Sequence, residues 1–473
     1  LGTDVEYGNS FIKMNNSAAL AGAQQTNVIT SGVQCRVTFT VQNYVSGTVN
    51  LRHPLSQNVS ANGTYVFEGA ANDTKVLIRG SAVTNNFEIT NISVVEVQGD
   101  KPRLDYDPIN PTCPHLLLEP QSTNLITFSE NFSQWDSIGS TQTSVENVNP
   151  LNATAYKIES TVNTGSRIFI NGIMTSTNTY SSSYLVKATS NSPQYLGFAC
   201  ISNTVPDVLY NFANDQFEDN TISGNAAKCE SISMANDWKL LKVPVHSSVT
   251  NTRLNIYQGS KSGNQLVGTI GQSYFIKLAQ LEELSFCTSY IPTAGATGTR
   301  VGETCNNAGN VDTFNSEEGV LYAEIAALAN DGTFREITLN DGTVNNVIEF
   351  RYNNVDNEIQ FVVRDGGSVT VNSQVAFSDV LEYNKIAFQY KANDFKVFAN
   401  GSNVATDTSG TVPSGLNQLD FSWAENNKFY GKVKSLATYN RALTDNELYT
   451  ITSTQYSAYS GMVAALGNYT IPC

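Results

Sequence analysis

Apolar and polar residues alternate with a period of two along most of this chain. The first clear case is Val37, Phe39 and Val41 set against Thr38, Thr40 and Gln42. Alternation of this kind marks half-buried strands. It returns over Thr64 to Gly69, Lys75 to Arg79 and Phe87 to Val97, with Gly, Asn or Ser turns between. A Pro-rich stretch then follows, holding Pro102, Pro108, Pro111 and Pro114. Proline cannot continue a central strand, so a connector is expected over 100–114. A second strand-rich block covers 115–300, with runs at Arg167 to Asn171, Tyr184 to Ala188, Tyr195 to Cys200, Trp238 to Val245, Arg253 to Tyr257 and Tyr274 to Leu281.

After a further connector at 301–315, a third block over 316–455 carries the clearest hairpin. Ile348, Phe350 and Tyr352 run up to the turn NNVDN, and Ile359, Phe361 and Val363 run back. Asp331-Gly332, Asp341-Gly342, Asp365-Gly366 and Asn400-Gly401 supply the positive-φ dipeptides that tight hairpins need. One helix is expected over Ala442 to Ile451, where Thr444 and Glu447 have the spacing of a capping box and Leu443 and Leu448 that of a hydrophobic staple. The fold class is therefore all-β, in tandem β-sandwich domains with one short helix near the C-terminus and a tail over 456–473. The ends of the first two blocks echo each other: ITNISVVEVQG and YFIKLAQLEEL each precede a connector with an arginine, Arg103 in one and Arg300 in the other. The two blocks are expected to be relatives in fold.

Composition narrows the function. The 42 acidic against 27 basic residues give a formal charge of −15, without a basic cluster to reverse it locally. Nucleic acid and anionic membrane are poor partners for such a chain. No apolar run, GMVAALG at 461–467 included, approaches the roughly 20 residues that cross a bilayer, so no membrane insertion is expected. Leu1 is not preceded by an initiator Met or a signal segment, which leaves the true N-terminus open. Of the seven cysteines (35, 113, 200, 229, 287, 305 and 473), the pairs Cys287 with Cys305 and Cys200 with Cys229 could form local bridges, and idle buried thiols are the alternative.

The segment RLDYDPINPTCPHLLLEPQSTNLITFSENFSQW, Arg103 to Trp135, resembles one that recurs in bacteriophage tail-fibre and other virion proteins. There an Arg-Leu/Ile-Asp-Tyr connector precedes Leu-Leu-Ile-Glu-Pro-x-x-Thr-Asn-Leu, and the segment opens a jelly-roll module similar to carbohydrate-binding modules. That module closes with Gln-Leu-Glu and Ser-Tyr-Ile-Pro-Thr, here Gln280-Leu281-Glu282 and Ser289 to Thr293. GKVKSLATYNRALTDNEL, Gly431 to Leu448, resembles the late strand and helix of concanavalin A-like, laminin-G-type lectin domains. On pattern alone, 1–99 is read as a carbohydrate-module-like sandwich. The resemblance implies a tail fibre, spike or head fibre on the virion surface, whose partners are host surface polysaccharide and other virion proteins, in a homo-oligomer. Two other readings stand beside it: a secreted or surface-attached bacterial polysaccharide-binding protein, and a structural spacer.

Catalytic signatures are missing. His53, His115 and His246 fall in separate segments outside any metal or triad spacing, and no glutamate is followed two residues later by aspartate, as concanavalin A-like hydrolases would require. Glu282-Glu283 and Glu317-Glu318 are sequence neighbours, which a strand points to opposite faces. The chain is read as a non-enzyme without a certain cofactor. A structural calcium would suit such sandwiches, but no acidic cluster names its ligands.

Sugars need aromatic faces for stacking and planar polar groups for their hydroxyls. If Ile168, Ile170, Leu196, Phe198, Leu254 and Ile256 point to the core, then Arg167, Phe169, Tyr195, Arg253, Asn255 and Tyr257 point outward as a glycan platform. The competing reading packs those rings beneath a covering loop. Trp238 and Trp423 sit in apolar strands where core roles are favoured, and Trp135 lies where the chain enters its sandwich. The loops near Asp341, Asp365 and Asn400 are the next candidate place for a ligand.

Overall fold

The computed structural model describes residues 5–8, 11–96, 100–106, 114–145, 154–175, 178–199, 205–247, 253–423 and 426–453. The tail 456–473 and Cys113, Cys200 and Cys473 lie outside them. Strands dominate, every ladder between them is antiparallel, and the helix Asp445–Thr452 is the α-helix of the described residues.

Near the N-terminus a five-stranded sheet, ordered Val5–Gly8, Phe11–Ser17, Asn85–Glu96, Gln34–Ser46 and Gly63–Ala70, faces a four-stranded one built on Val49–His53 and Val76–Gly80. The expected alternation holds. Val37, Phe39 and Val41 enter a core with Met14, Leu51, Ile78, Phe87 and Ile89.

The middle sandwich pairs a sheet ordered Asp136–Ile138, Ser166–Ile170, Leu254–Ser262, Tyr195–Ala199, Val208–Asn211 and Gln216–Asp219 with a six-stranded sheet centred on Thr179–Ala188 and Ser273–Glu282. Ile168, Leu196, Phe198, Leu254 and Ile256 meet Tyr184, Val186, Tyr274 and Ile276 between them. Trp135 packs in this core, its ring 4.9 Å from that of Phe132.

The last sandwich has a five-stranded sheet ordered Ser368–Ala376, Glu358–Asp365, Val347–Tyr352, Arg335–Asn340 and Gln418–Asp420. Ile337, Leu339, Ile348, Phe350, Phe361 and Val363 point from it into the core. The expected hairpin forms in register, Tyr352 opposite Ile359, and Gly332, Gly342, Gly366, Asn400 and Gly401 all take positive φ. The helix is capped as read: Thr444 accepts from the Glu447 N–H and Glu447 reaches back. Leu443, Leu448 and Ile451 then cover Val320, Tyr322 and Ala437 on the outer face of the second sheet.

That second sheet corrects the expected connectors. Its order is Arg103–Tyr106, Pro114–Leu118, Gly431–Tyr439, Glu318–Ala327, Asn384–Lys391, Phe395–Ala399 and Ser402–Asp407. Two stretches expected as connector and as the start of the middle block thus form the edge of the last sandwich. Proline is tolerated there because Pro102 precedes one strand and Pro114 is the first residue of the other, where its missing N–H costs little. The stretch 301–315 is likewise fixed to this sandwich: Ala308 exchanges backbone hydrogen bonds with Leu419, and Phe314 is buried in the core. The suggested Cys287 to Cys305 bridge is absent; Cys287 Sγ points to the Ser182 carbonyl at 3.2 Å, while Cys305 packs against the other core. Cys229 is also a free thiol.

Candidate functional site

The six residues read as a glycan platform share one face of the middle sandwich. Arg167 lies opposite Tyr257 and Phe169 opposite Asn255, while Tyr257, Asn255 and Gly259 lie opposite Gly197, Ala199 and Tyr195 on the next strand. Directly paired residues project to the same side of a sheet, so the alternation placed all of them correctly relative to the core.

Their exposure is the correction. Phe169 and Tyr195 are each 7 % exposed, Tyr257 is 1 % exposed, and Asn255 is fully buried. The cause is a second layer over the sheet. The Arg253 guanidinium sits 4.5 Å from the Phe169 ring centre, and Arg167 lies 5.3 Å from that of Tyr257 and 5.8 Å from that of Phe169. Leu266 packs with Tyr195, Leu209 and Tyr257. Gly197 admits Pro206 so closely that a Cβ there would lie 2.7 Å from the proline ring. The rings are thus a floor, and the half-buried guanidiniums are what faces outward. Arg253 is aimed by a short relay, its Nε donating to Asn171 Oδ1 at 2.6 Å while Asn171 Nδ2 donates to Asp136 Oδ2 at 2.9 Å. Tyr195 is tied to the Glu218 carboxylate at 3.2 Å. Burial raises the Tyr257 phenol above its ordinary pKa, so it stays a neutral donor. Planar guanidiniums held on rings can bind hydroxyls or acidic groups in fixed geometry.

A second polar face lies on the outer side of the five-stranded sheet, opposite the core residues of Val347–Tyr352 and Glu358–Asp365. Glu336 and Glu349 are fully buried there. Arg351 Nη1 stands 3.4 Å from Glu336 and 3.3 Å from Glu349, and its Nε donates to Gln360, which in turn donates to Asn372 at 2.7 Å. Asn427 donates to Glu336 at 2.9 Å. Burial, reinforced by the neighbouring Glu336 carboxylate, pushes the Glu349 carboxyl up to about 7. The pair therefore tends to hold one proton between its members.

The sequence reading missed this face because it assigned Trp423 to the core. Trp423 is instead half-buried outside the core clusters, with the Arg364 guanidinium 5.6 Å from its ring. The signal was present, since Glu349 and Arg351 alternate out of phase with Ile348, Phe350 and Tyr352. Trp238, by contrast, is fully buried with Leu185 and Leu278, with Lys277 over its ring at 4.6 Å.

Three of the four adjacent carboxylates have structural partners. Glu282 accepts from Ser122 and from the Thr288 backbone, Glu283 from Asn178, and Glu318 pairs with Lys391. Glycoside hydrolysis needs two carboxyls about 5 Å or more apart, flanking an accessible bond. Glu336 and Glu349 are instead buried against one another and against Arg351. Among the described residues no three His, Cys, Asp or Glu side chains gather as a metal site would require, and no helix is long and apolar enough to cross a membrane. The turns at Asp341 and Asp365 adjoin through a Gly366 N–H to Asn346 hydrogen bond of 2.9 Å, and Asp341 is occupied by Thr343 and Asn346.

Residues 315–448 match the concanavalin A-like lectin/glucanases superfamily, laminin-G type. The last sandwich is therefore a lectin-like domain in an all-β chain. No curated protein matches the sequence. Among solved structures, the CBM40 of a Ruminococcus gnavus IT-sialidase is 16% identical, covering 31% of this chain and 94% of its own, with a TM-score of 0.26. The CBM22-1-CBM22-2 tandem of Paenibacillus barcinonensis Xyn10C is 10% identical over 60% of this chain and 90% of its own, at 0.23. Mouse laminin α1 domains LG4-5 are 11% identical over 60% and 89%, at 0.21. Overlaps at TM-scores this low add nothing to the choice of ligand.

Proposed function

We propose that this chain is a non-catalytic glycan-recognition protein of a bacteriophage particle, of the tail-fibre, spike or head-fibre kind, which adheres to host surface polysaccharide. The observation that carries glycan recognition is the lectin-superfamily match over 315–448. The platform of Arg167 and Arg253 over Phe169 and Tyr257 supports it from the neighbouring sandwich. The particle rests on the resemblance of Arg103 to Trp135 to virion segments.

In this reading the guanidiniums hold sugar hydroxyls or acidic groups through charge-assisted hydrogen bonds, and the rings beneath keep the guanidiniums in place. Glycan arrays and host-cell binding with Arg167→Gln and Arg253→Gln test it. Each substitution is expected to weaken retention roughly tenfold, a loss of about 1.4 kcal/mol, with the melting temperature held. Retention of no glycan by the native chain, or release of reducing ends from a bound polysaccharide, would reject the reading. Absence of the chain from purified particles of the producing strain would reject the virion assignment alone.

A further inference from the structure

The carboxamide that aims Arg253 belongs to an Asn-Gly pair, Asn171-Gly172, one of three in the chain beside Asn62-Gly63 and Asn400-Gly401. In such a pair the glycine nitrogen can attack the asparagine side-chain carbonyl, because no Cβ on the following residue obstructs the approach. Attack is favoured by a free N–H, open surroundings and a polarised carbonyl, and of the three pairs Asn171-Gly172 combines them. Gly63 is held in a strand opposite Val41, and the Gly401 N–H donates to Thr452 Oγ1 at 3.2 Å. Gly172 lies outside the strands at φ +72°, with nothing within 4 Å of where a Cβ would sit, and its N–H makes no hydrogen bond among the described residues. Asn171 and Gly172 are both exposed. On the carbonyl side, Arg253 Nε donates to Asn171 Oδ1 at 2.6 Å, whereas Asn62 Oδ1 and Asn400 Oδ1 accept from the neutral backbone N–H groups of Tyr44 and Lys385 at 2.9 and 3.0 Å. A cationic donor at that oxygen stabilises the negative charge that develops on it in the tetrahedral adduct.

We infer that Asn171 is a site of spontaneous deamidation whose conversion withdraws Arg253 from the glycan platform. Gly172 N bonds to Asn171 Cγ and gives its proton to solvent. The Cγ–Nδ2 bond then breaks, the nitrogen takes a proton from solvent and leaves as ammonia, and a succinimide remains. Water opens that ring to aspartate or isoaspartate, so the steps need no oxidant or reductant. The new carboxylate pairs with Arg253 in charge-assisted hydrogen bonds that occupy the guanidinium fork. It also cannot donate to Asp136 Oδ2, which now accepts from Asn171 Nδ2 at 2.9 Å. The relay that presents Arg253 thereby becomes two adjoining carboxylates that hold it back. The effect on binding rests on the glycan-recognition reading; the modification does not.

The test is to age the full chain in warm, mildly alkaline buffer and follow all three pairs by peptide mass mapping, with R253Q alongside. Asn171 should convert several-fold faster than Asn62 and Asn400, and R253Q should slow Asn171 several-fold while leaving Asn62 unchanged. In urea the three sites should converge, a comparison that holds even where R253Q misfolds. Conversion at Asn171 no faster than at the other two, an unchanged rate in folded R253Q, or a lead that persists in urea would overturn the site. On glycan arrays the aged chain and N171D should both retain several-fold less than the fresh chain. Equal retention would overturn the withdrawal of Arg253. An empty array with the fresh chain would remove the glycan-recognition reading, while the mass mapping still decides the modification.

Discussion

Arg103 and Arg300 meet on a single carboxylate, that of Glu119. Arg103 Nη2 and Arg300 Nη2 both reach Glu119 Oε2, the latter at 2.9 Å. Arg103 Nε turns to Glu303, while Glu303 takes the Glu119 backbone N–H at 2.6 Å and Glu119 Oε1 takes that of Ser289 at 2.9 Å. The arginines that mark the two connectors in the sequence, and the glutamate of the Leu-Leu-Leu-Glu-Pro segment, thus form one cluster tying the edge of the last sandwich to the closing loop of the middle one.

Removing the shared carboxylate should be costly because it leaves two guanidiniums and a backbone N–H behind. Glu119→Ala is expected to lower stability by about 3 kcal/mol, the usual penalty for stripping one partner from a buried ion pair. Urea unfolding followed by tryptophan emission measures it. A loss below about 1 kcal/mol would show that the cluster is solvated in solution.

The Glu349 carboxyl carries a pH signature of definite sign. Its folded pKa, about 7, lies above the ordinary carboxyl value of 4.5, so the folded chain holds a proton that the unfolded chain has released between those pH values. Stability contributed by this group is complete below about 4.5, declines as pH rises towards 7 and stays reduced above it. The charged groups facing it are Glu336, Arg351 and Arg364, with Asp420 beyond Thr338. Glu349→Gln should therefore stabilise the chain at pH 8 by roughly 1 to 3 kcal/mol and leave it unchanged near pH 4. Thermal melts at the two pH values decide it, and an equal effect at both would rule out the raised pKa.

The cap of the C-terminal helix makes a smaller prediction. Thr444→Ala removes the acceptor for the Glu447 N–H and should cost about 1 kcal/mol. Arg441, together with the Thr444 N–H and hydroxyl, holds the Glu447 carboxyl down to about 2. The contribution of that group is present above about pH 4.5 and fades as pH falls towards 2. Amide exchange over Asp445–Thr452, faster in Thr444→Ala and faster in acid than intrinsic rates allow, reads both effects.

What could be read from the sequence was the local part. Alternation located the strands and the inward face of Ser166–Ile170, Tyr195–Ala199 and Leu254–Ser262, and the Thr444 and Glu447 spacing found the helix cap, because each depends on neighbours a few residues away. Long-range pairing was not legible. Nothing in Pro114–Leu118 announces that its partner is Gly431–Tyr439, so an edge strand read as a connector. Exposure escaped for the same reason. Tyr257 is covered by Arg167 and Leu266, and period-two logic identifies the side of a sheet without saying what lies on top of it.

That covering separates a floor residue from a contact residue, and stability against binding tells them apart. Tyr257 is 1 % exposed, with Arg167 on its ring and Leu266 against it. Tyr257→Ala should open a cavity beneath the guanidinium and cost about 3 to 5 kcal/mol, as other large-to-small changes in packed sites do. Tyr195→Phe removes only the hydroxyl bonded to Glu218 and should cost about 1 kcal/mol. Arg253→Gln leaves the ring floor in place, so it should hold the melting temperature while glycan retention falls. Denaturant titration beside glycan-array binding reads the three variants together. If Tyr257→Ala keeps native stability and loses binding, the ring itself faces the ligand and the guanidinium layer does not cover it in solution.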